Sequence, residues 1–148
     1  MKNKKLRAVI DTNLFVSGLF TQEGHTFDIQ ELWVSQFFEL AVSEDILKEI
    51  RATLQKPHIR KALFLYEGEE DSIIDLIKEK AFIVTRDRYK TDRIKKDLSD
   101  NKFLACALEA KADFIVSGDN HLLELKHYQG IQIVNAKIFV SKIKRSAD

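Results

Sequence analysis

Little in this chain of 148 residues bends, cross-links or anchors it. A single cysteine, Cys106, excludes an intrachain disulfide. Its setting, "FLACALEA", is a run of small apolar residues at helical spacing and reads as a buried, inert thiol. One proline and five glycines leave no linker, repeat or low-complexity stretch. No apolar run approaches a membrane span. The basic start "MKNKKLRAVIDTN" resembles a secretory leader only until Asp11 cuts its apolar part short, which places the protein in the cytoplasm. The formal net charge of +1 excludes bulk charge as a mark of nucleic-acid binding. There is no HExxH, no glycine-rich dinucleotide fingerprint and no Walker A sequence. Nor is there a nucleophile elbow. His25, His58, His121 and His127 are scattered, and the last two are too far apart to share one helical face.

What is present is ordinary for a globular protein: 45% hydrophobic and 32% charged residues. The length fits one domain with a core large enough to need no staples. Five short apolar runs read as strands buried on both faces: "AVI" (8–10), "ELAV" (39–42), "FIV" (82–84), "FIV" (114–116) and "IQIV" (131–134). Between them the period lengthens. "TFDIQELWVSQFF" aligns Phe27, then Leu32 or Ile29 and Trp33, then Phe37. "SEDILKEIRATL" has Ser43 as a cap and Ile46, Leu47, Ile50 and Leu54 as a stripe. Pro57 opens "PHIRKALFLY". "GEEDSIIDLIKEK" repeats Ile73, Ile74 and Ile77. "SDNKFLACALEAK" has Ser99 as a cap and Phe103, Leu104, Ala107 and Leu108 turned inward, and "HLLEL" and "AKIFVSKIK" complete the helices. Alternating strands and helices predict an α/β fold, three layers with a mostly parallel central sheet. Ligand sites in such sheets lie beyond the carboxyl ends of the strands.

Charge sits at those ends. Asp11 stops "AVI", Asp119 stops "FIVSG", and Asp100 begins the helix before the second of these strands. Each has a local explanation: an Asx turn at Asp11, a helix cap at Asp100 and another at Asp119. Together at one edge, three carboxylates repel unless a proton or cation intervenes. An oxygen-only set suits Mg²⁺ or Mn²⁺. Further along, "RDRYKTDRIKK" (86–96) concentrates positive charge. It reads either as a solvated face or as a phosphate grip through Arg86, Arg88, Lys90, Arg93, Lys95 and Lys96, with Tyr89 stacking on a base.

"VIDTN", "SEDILKEI", "SDNKFLACALEAKADFIVSGD", "HLL" and "IQIV" together resemble a PIN domain. They are most similar to prokaryotic PIN proteins of toxin–antitoxin pairs. The likeness runs from about Arg7 to about Lys144, so residues 1–148 would form one nuclease domain. It implies a metal-dependent ribonuclease using Mg²⁺ or Mn²⁺, with RNA as substrate, a cognate antitoxin as partner, a homodimer as assembly and no membrane. The acidic set it implies is Asp11, Glu49, Asp100 and Asp119, with Asn13 and Ser117 lining the site. Periodicity alone does not choose Glu49 over Glu44, since the two flank opposite sides of one apolar stripe. The family's further acidic residue before the Asp–Asn pair is replaced here by Ser99.

On this reading the acidic set holds one or two ions, Asp11 is the central ligand, and Glu49 binds or orients water. Two enzyme rivals fit less well. An Asp-x-Asp phosphotransferase would need its second acid where Asn13 stands. A receiver domain would need an acidic pair at the first strand and a late lysine. The remaining alternative is a PIN-like RNA-binding or protein-interaction module without catalysis.

Overall fold

The computed structural model describes residues 5–65, 68–85 and 101–147. Strand β1 (Arg7–Ile10) leads into helices α1 (Thr12–Phe20) and α2 (His25–Val34). Strand β2 (Glu39–Ser43) leads into α3 (Glu44–Leu54), α4 (Pro57–Ala62) and α5 (Glu69–Lys80), and β3 (Phe82–Val84) follows. Helix α6 (Asn101–Ala110) precedes β4 (Phe114–Val116), which is followed by α7 (Asn120–Leu123). The hairpin strands β5 (His127–Tyr128) and β6 (Ile131–Val134) and helix α8 (Ala136–Ser146) complete the order.

The strands lie in the order β3-β2-β1-β4-β6-β5. Every pairing is parallel except that of β5 with β6. Val9 stands opposite Ile115, and Ile115 opposite Ile133. Phe114, Ile115 and Val116 are all buried. Successive strand residues point to opposite faces, so both faces of the sheet are covered, as the three-layer expectation requires. Helix α6 packs on β1 through β4, while α8 packs on β4 and on α2. Phe139 of α8 meets Phe38 and Phe114 edge to face, at 4.9 and 5.5 Å between ring centroids.

Several sequence expectations need adjustment. Helix α2 ends at Val34, before the expected Phe37, which is 48% exposed. Gln36 has a left-handed φ of 64°, and this turn reverses the chain into β2. Helix α4 stops at Ala62 instead of continuing through 63–65, Phe64 takes a φ of 56° at the turn, and the expected last residue, Tyr66, lies outside the described residues. Patterning assigns no element to 14–20, yet α1 occupies it. Asp11 caps α1, its side chain accepting from the Asn13 N–H, and Thr12, Phe15, Val16 and Gly18 form the buried side.

The amino-terminal edge of the sheet is tied by Arg7. Its Nε donates to Glu39 Oε1 at 2.5 Å and its Nη1 donates to the Ala110 carbonyl at 2.5 Å. Its guanidinium also lies 3.9 Å from the Phe82 ring centroid. Its backbone N–H donates to Asp113 Oδ2 at 2.9 Å. Arg7 and Glu39 thus pair opposite charges at this edge.

Candidate active site

Strands β2 and β3 lie to one side of β1, and β4, β6 and β5 lie to the other. The order therefore reverses between β1 and β4. A crevice opens at such a switch point beyond the carboxyl ends of the two strands. The residues that follow them are Asp11 and the trio Ser117, Gly118 and Asp119. The Asp11 N–H donates to the Val116 carbonyl at 2.8 Å, which extends the ladder one residue and fixes the aspartate against β4.

Both Asp11 oxygens are engaged. Oδ1 accepts from the Asn13 N–H at 2.9 Å, and Oδ2 accepts from the Ser117 hydroxyl at 2.8 Å. Ser117 is fully buried, and its Oγ also accepts the Asp119 N–H at 2.9 Å. One hydroxyl thus joins the residues that follow two different strands. Asp119 Oδ1 accepts from the His121 N–H at 2.7 Å, capping α7, and His121 Nδ1 lies 3.6 Å from the same oxygen. The local turn and cap roles read from the sequence for Asp11 and Asp119 are therefore present, alongside the convergence of Asp11 and Ser117–Asp119.

Burial raises the pKa of Asp11 above the ordinary carboxylate value. The Asn13 and Ser117 hydrogen bonds oppose that rise, and the negative charges of Glu49 and Asp119 add to it. Glu49 lies on α3, half-buried, and Lys102 Nζ on α6 sits 2.6 Å from its Oε2. Glu44, its competitor from periodicity, is exposed. Asn13 is exposed, and it is its backbone N–H that contacts Asp11.

Asp100 and the basic segment holding Arg86, Arg88, Tyr89, Lys90, Arg93, Lys95 and Lys96 lie outside the described residues. Among the described residues, no three His, Cys, Asp or Glu side chains gather closely enough to hold a metal ion. The donor chemistry nevertheless fits a hard divalent cation. Asp11, Asp119 and Glu49 offer only oxygen, and their like charges raise the cost of ionising Asp11, a cost that a cation relieves.

Two residues at this edge escape sequence reasoning. Thr12 is 2% exposed, and its Oγ1 has no hydrogen-bond partner among the described residues. Its position between Asp11 and Asn13 is the only sequence signal. Lys102 is the other, in the first described turn of α6. Cys106 is buried as expected, and burial pushes its thiol up to about 12. An open pocket of about 400 Å³ lies at the opposite end of the sheet, lined by Lys5, Trp33, Phe38, Glu39, Glu79 and Lys80 among others, away from the carboxylates.

The fold and this edge define an α/β protein with aspartates at the carboxyl ends of the strands that flank its switch point. A family model described as the PIN domain matches residues 7–121, and the chain belongs to that family. PIN domains are generally nucleases that use divalent metals. An uncharacterized protein of Methanocaldococcus jannaschii is 32% identical over 127 residues, which cover 85% of this chain and 79% of that protein. Among solved structures the chain is similar to one of VapBC2 from Rickettsia felis bound to a DNA fragment from their promoter. The TM-score is 0.57 at 14% identity, over 88% of this chain and 98% of the other, a likeness of fold. Among the described residues, no helix is long and apolar enough to cross a membrane.

Proposed function

We propose that this protein is a Mg²⁺- or Mn²⁺-dependent ribonuclease formed by one domain over residues 1–148, and the toxin of a toxin–antitoxin pair. The observation that carries the reading is the buried Asp11 carboxylate, held by Ser117 and the Asn13 N–H in the field of Glu49 and Asp119. A carboxylate with no cation within a hydrogen bond among the described residues, kept at a switch-point crevice, suits metal binding better than packing.

Asp11, Asp119, Glu49 and Asp100 are the proposed ligands. A divalent ion there lowers the pKa of bound water and neutralises charge developing on a phosphodiester. The chain's own residues prepare that chemistry. Ser117 orients Asp11 and, through the Asp119 N–H, ties the second aspartate to it. The Asn13 backbone sets the other Asp11 oxygen. The basic residues Arg86, Arg88, Lys90, Arg93, Lys95 and Lys96 are the proposed phosphate grip, and Tyr89 a stacking surface. The fold likeness to VapBC2 and the family membership support a cognate antitoxin as partner. A homodimer is part of the same proposal.

The test is cleavage of a labelled RNA mixture with Mn²⁺, with Mg²⁺ and with EDTA. Metal-dependent cleavage that is lost in Asp11→Asn is the expected result. RNA binding without cleavage by either protein would replace the enzyme by a non-catalytic RNA-binding module.

A further inference from the structure

Lys102 lies in the first described turn of α6. Its side chain is 17% exposed, so water screens it only partly. It is held there by Glu49, with Nζ 2.6 Å from Oε2. The same Glu49 charge reaches Asp11, where it opposes ionisation. An ammonium ion is thus bound to one member of the set of carboxylates whose charges act on Asp11.

We propose that Lys102 is the resident counter-cation of the acidic crevice, a positioning residue that holds Glu49 in the metal-free protein and competes with the divalent ion for it. The inference rests on the metal-dependent reading above. Two consequences follow from charge alone. Lys102 neutralises part of the repulsion that an empty crevice would carry. A divalent ion entering beside it must then overcome a unit positive charge and replace the ammonium at Glu49. The pair sets a threshold for metal occupancy, keeping the crevice organised at low metal and tuning the concentration at which it loads.

The experiment is calorimetric titration of the full chain with MnCl₂, together with thermal unfolding in EDTA and in excess Mn²⁺. The proteins are wild type, Lys102→Met, Lys102→Arg, Glu49→Gln, the Glu49→Gln/Lys102→Met double variant and Asp11→Asn. Withdrawing a unit charge from near a divalent ion in a water-like medium corresponds to roughly tenfold in affinity at about 6 Å and roughly threefold at about 12 Å. Lys102→Met should therefore bind Mn²⁺ about that much more tightly and show a larger metal-induced rise in unfolding temperature. Lys102→Arg should behave as wild type. In the Glu49→Gln background the gain from Lys102→Met should shrink, because the contested ligand is gone. Lys102→Gln serves if the methionine variant does not fold.

Affinity in Lys102→Met equal to or weaker than wild type overturns the inference. So does an equal fall in unfolding temperature with and without metal, the signature of a structural ion pair. The Asp11→Asn arm separates the two levels. Wild type that binds no Mn²⁺, or binds it no better than Asp11→Asn, overturns the metal reading and this inference with it. If Asp11→Asn loses binding while Lys102→Met matches wild type, only the role of Lys102 fails.

Discussion

Ser117 bears more on the crevice than its size suggests. Its hydroxyl donates to Asp11 Oδ2 while accepting the Asp119 N–H, all from a fully buried position. Ser117→Ala removes both contacts and leaves a buried carboxylate oxygen and a backbone N–H without these partners. Leaving such groups unsatisfied costs about 1–3 kcal/mol. The expected result in EDTA is a loss of that size, read by urea unfolding with an unchanged slope. Outer hydrogen-bond partners of metal ligands typically account for roughly 10–100-fold in metal affinity. Mn²⁺ binding should fall by that factor in Ser117→Ala, measured by titration. Wild-type affinity in the variant would show that Asp11 needs no support from β4 to bind metal.

Helices α1 and α2 hold the peptide after Asp11 in place, and their contact depends on one glycine. A Cβ built on Gly18 would lie 2.4 Å from the Thr26 carbonyl oxygen and 2.6 Å from Gln30 Cγ. The first of these is backbone and cannot swing aside. Gln30 is itself fixed, its Nε2 donating to the Phe15 carbonyl at 2.8 Å. Phe15 and Trp33 meet edge to face nearby, with centroids 5.6 Å apart. Alanine in a helix interior normally gains about 1 kcal/mol over glycine. Here overpacking should win, for a net loss of roughly 1–3 kcal/mol in Gly18→Ala. Gly118→Ala, with nothing within 4 Å of its Cβ, should stay within about 0.5 kcal/mol of wild type. Equal stability of the two variants in urea unfolding would mean that the two helices are free to separate.

At this scale the sequence is uneven to read. The central strands are legible because an apolar run of three or four residues buried on both faces has few other uses. Helix α1 is not. It is short and largely apolar, so its buried side does not stand out from the rest. The aspartates are legible because a charge that ends an apolar run contradicts its own surroundings. Lys102 is not, because its partner lies on a different helix, and a lysine beside an asparagine reads as solvated surface. Thr12 resembles any turn threonine until its burial is seen. Glu49 and Glu44 are equivalent on a helical wheel, and only contact with α6 distinguishes their settings.

Across the whole molecule, charge is divided between the two ends of the sheet. Arg7 binds Glu39 at the amino-terminal edge, while at the carboxyl edge Asp11 faces other acids. Away from both, Glu70 of α5 joins Arg60 of α4, with Arg60 Nη1 2.8 Å from Oε2. The Glu70 carboxyl is held below its ordinary value, first by its own backbone N–H at the helix start and then by Arg60. These two carboxylates should leave opposite marks on stability against pH in EDTA. Folding raises the Asp11 pKa, so its ionised form costs stability above the folded value, and the cost is relieved as pH falls through that value. Folding lowers the Glu70 pKa, so its contribution is present above the unfolded value and is lost as pH falls through the folded one. Asp11→Asn keeps an acceptor for the Asn13 N–H and a group to pair with Ser117. At pH 7 it should therefore unfold at a temperature equal to or above that of wild type, with the difference shrinking toward pH 4. Glu70→Gln should unfold below wild type at pH 7, and that gap should also close in acid. Excess Mn²⁺ should reverse the first order and leave the second alone. A ligand that binds only the folded state adds about 2.7 kcal/mol at a hundredfold excess over its Kd, and Asp11→Asn should forgo most of that. An Asp11→Asn protein clearly less stable than wild type in EDTA at pH 7 would make Asp11 a structural cap and remove the electrostatic argument for a metal at this edge.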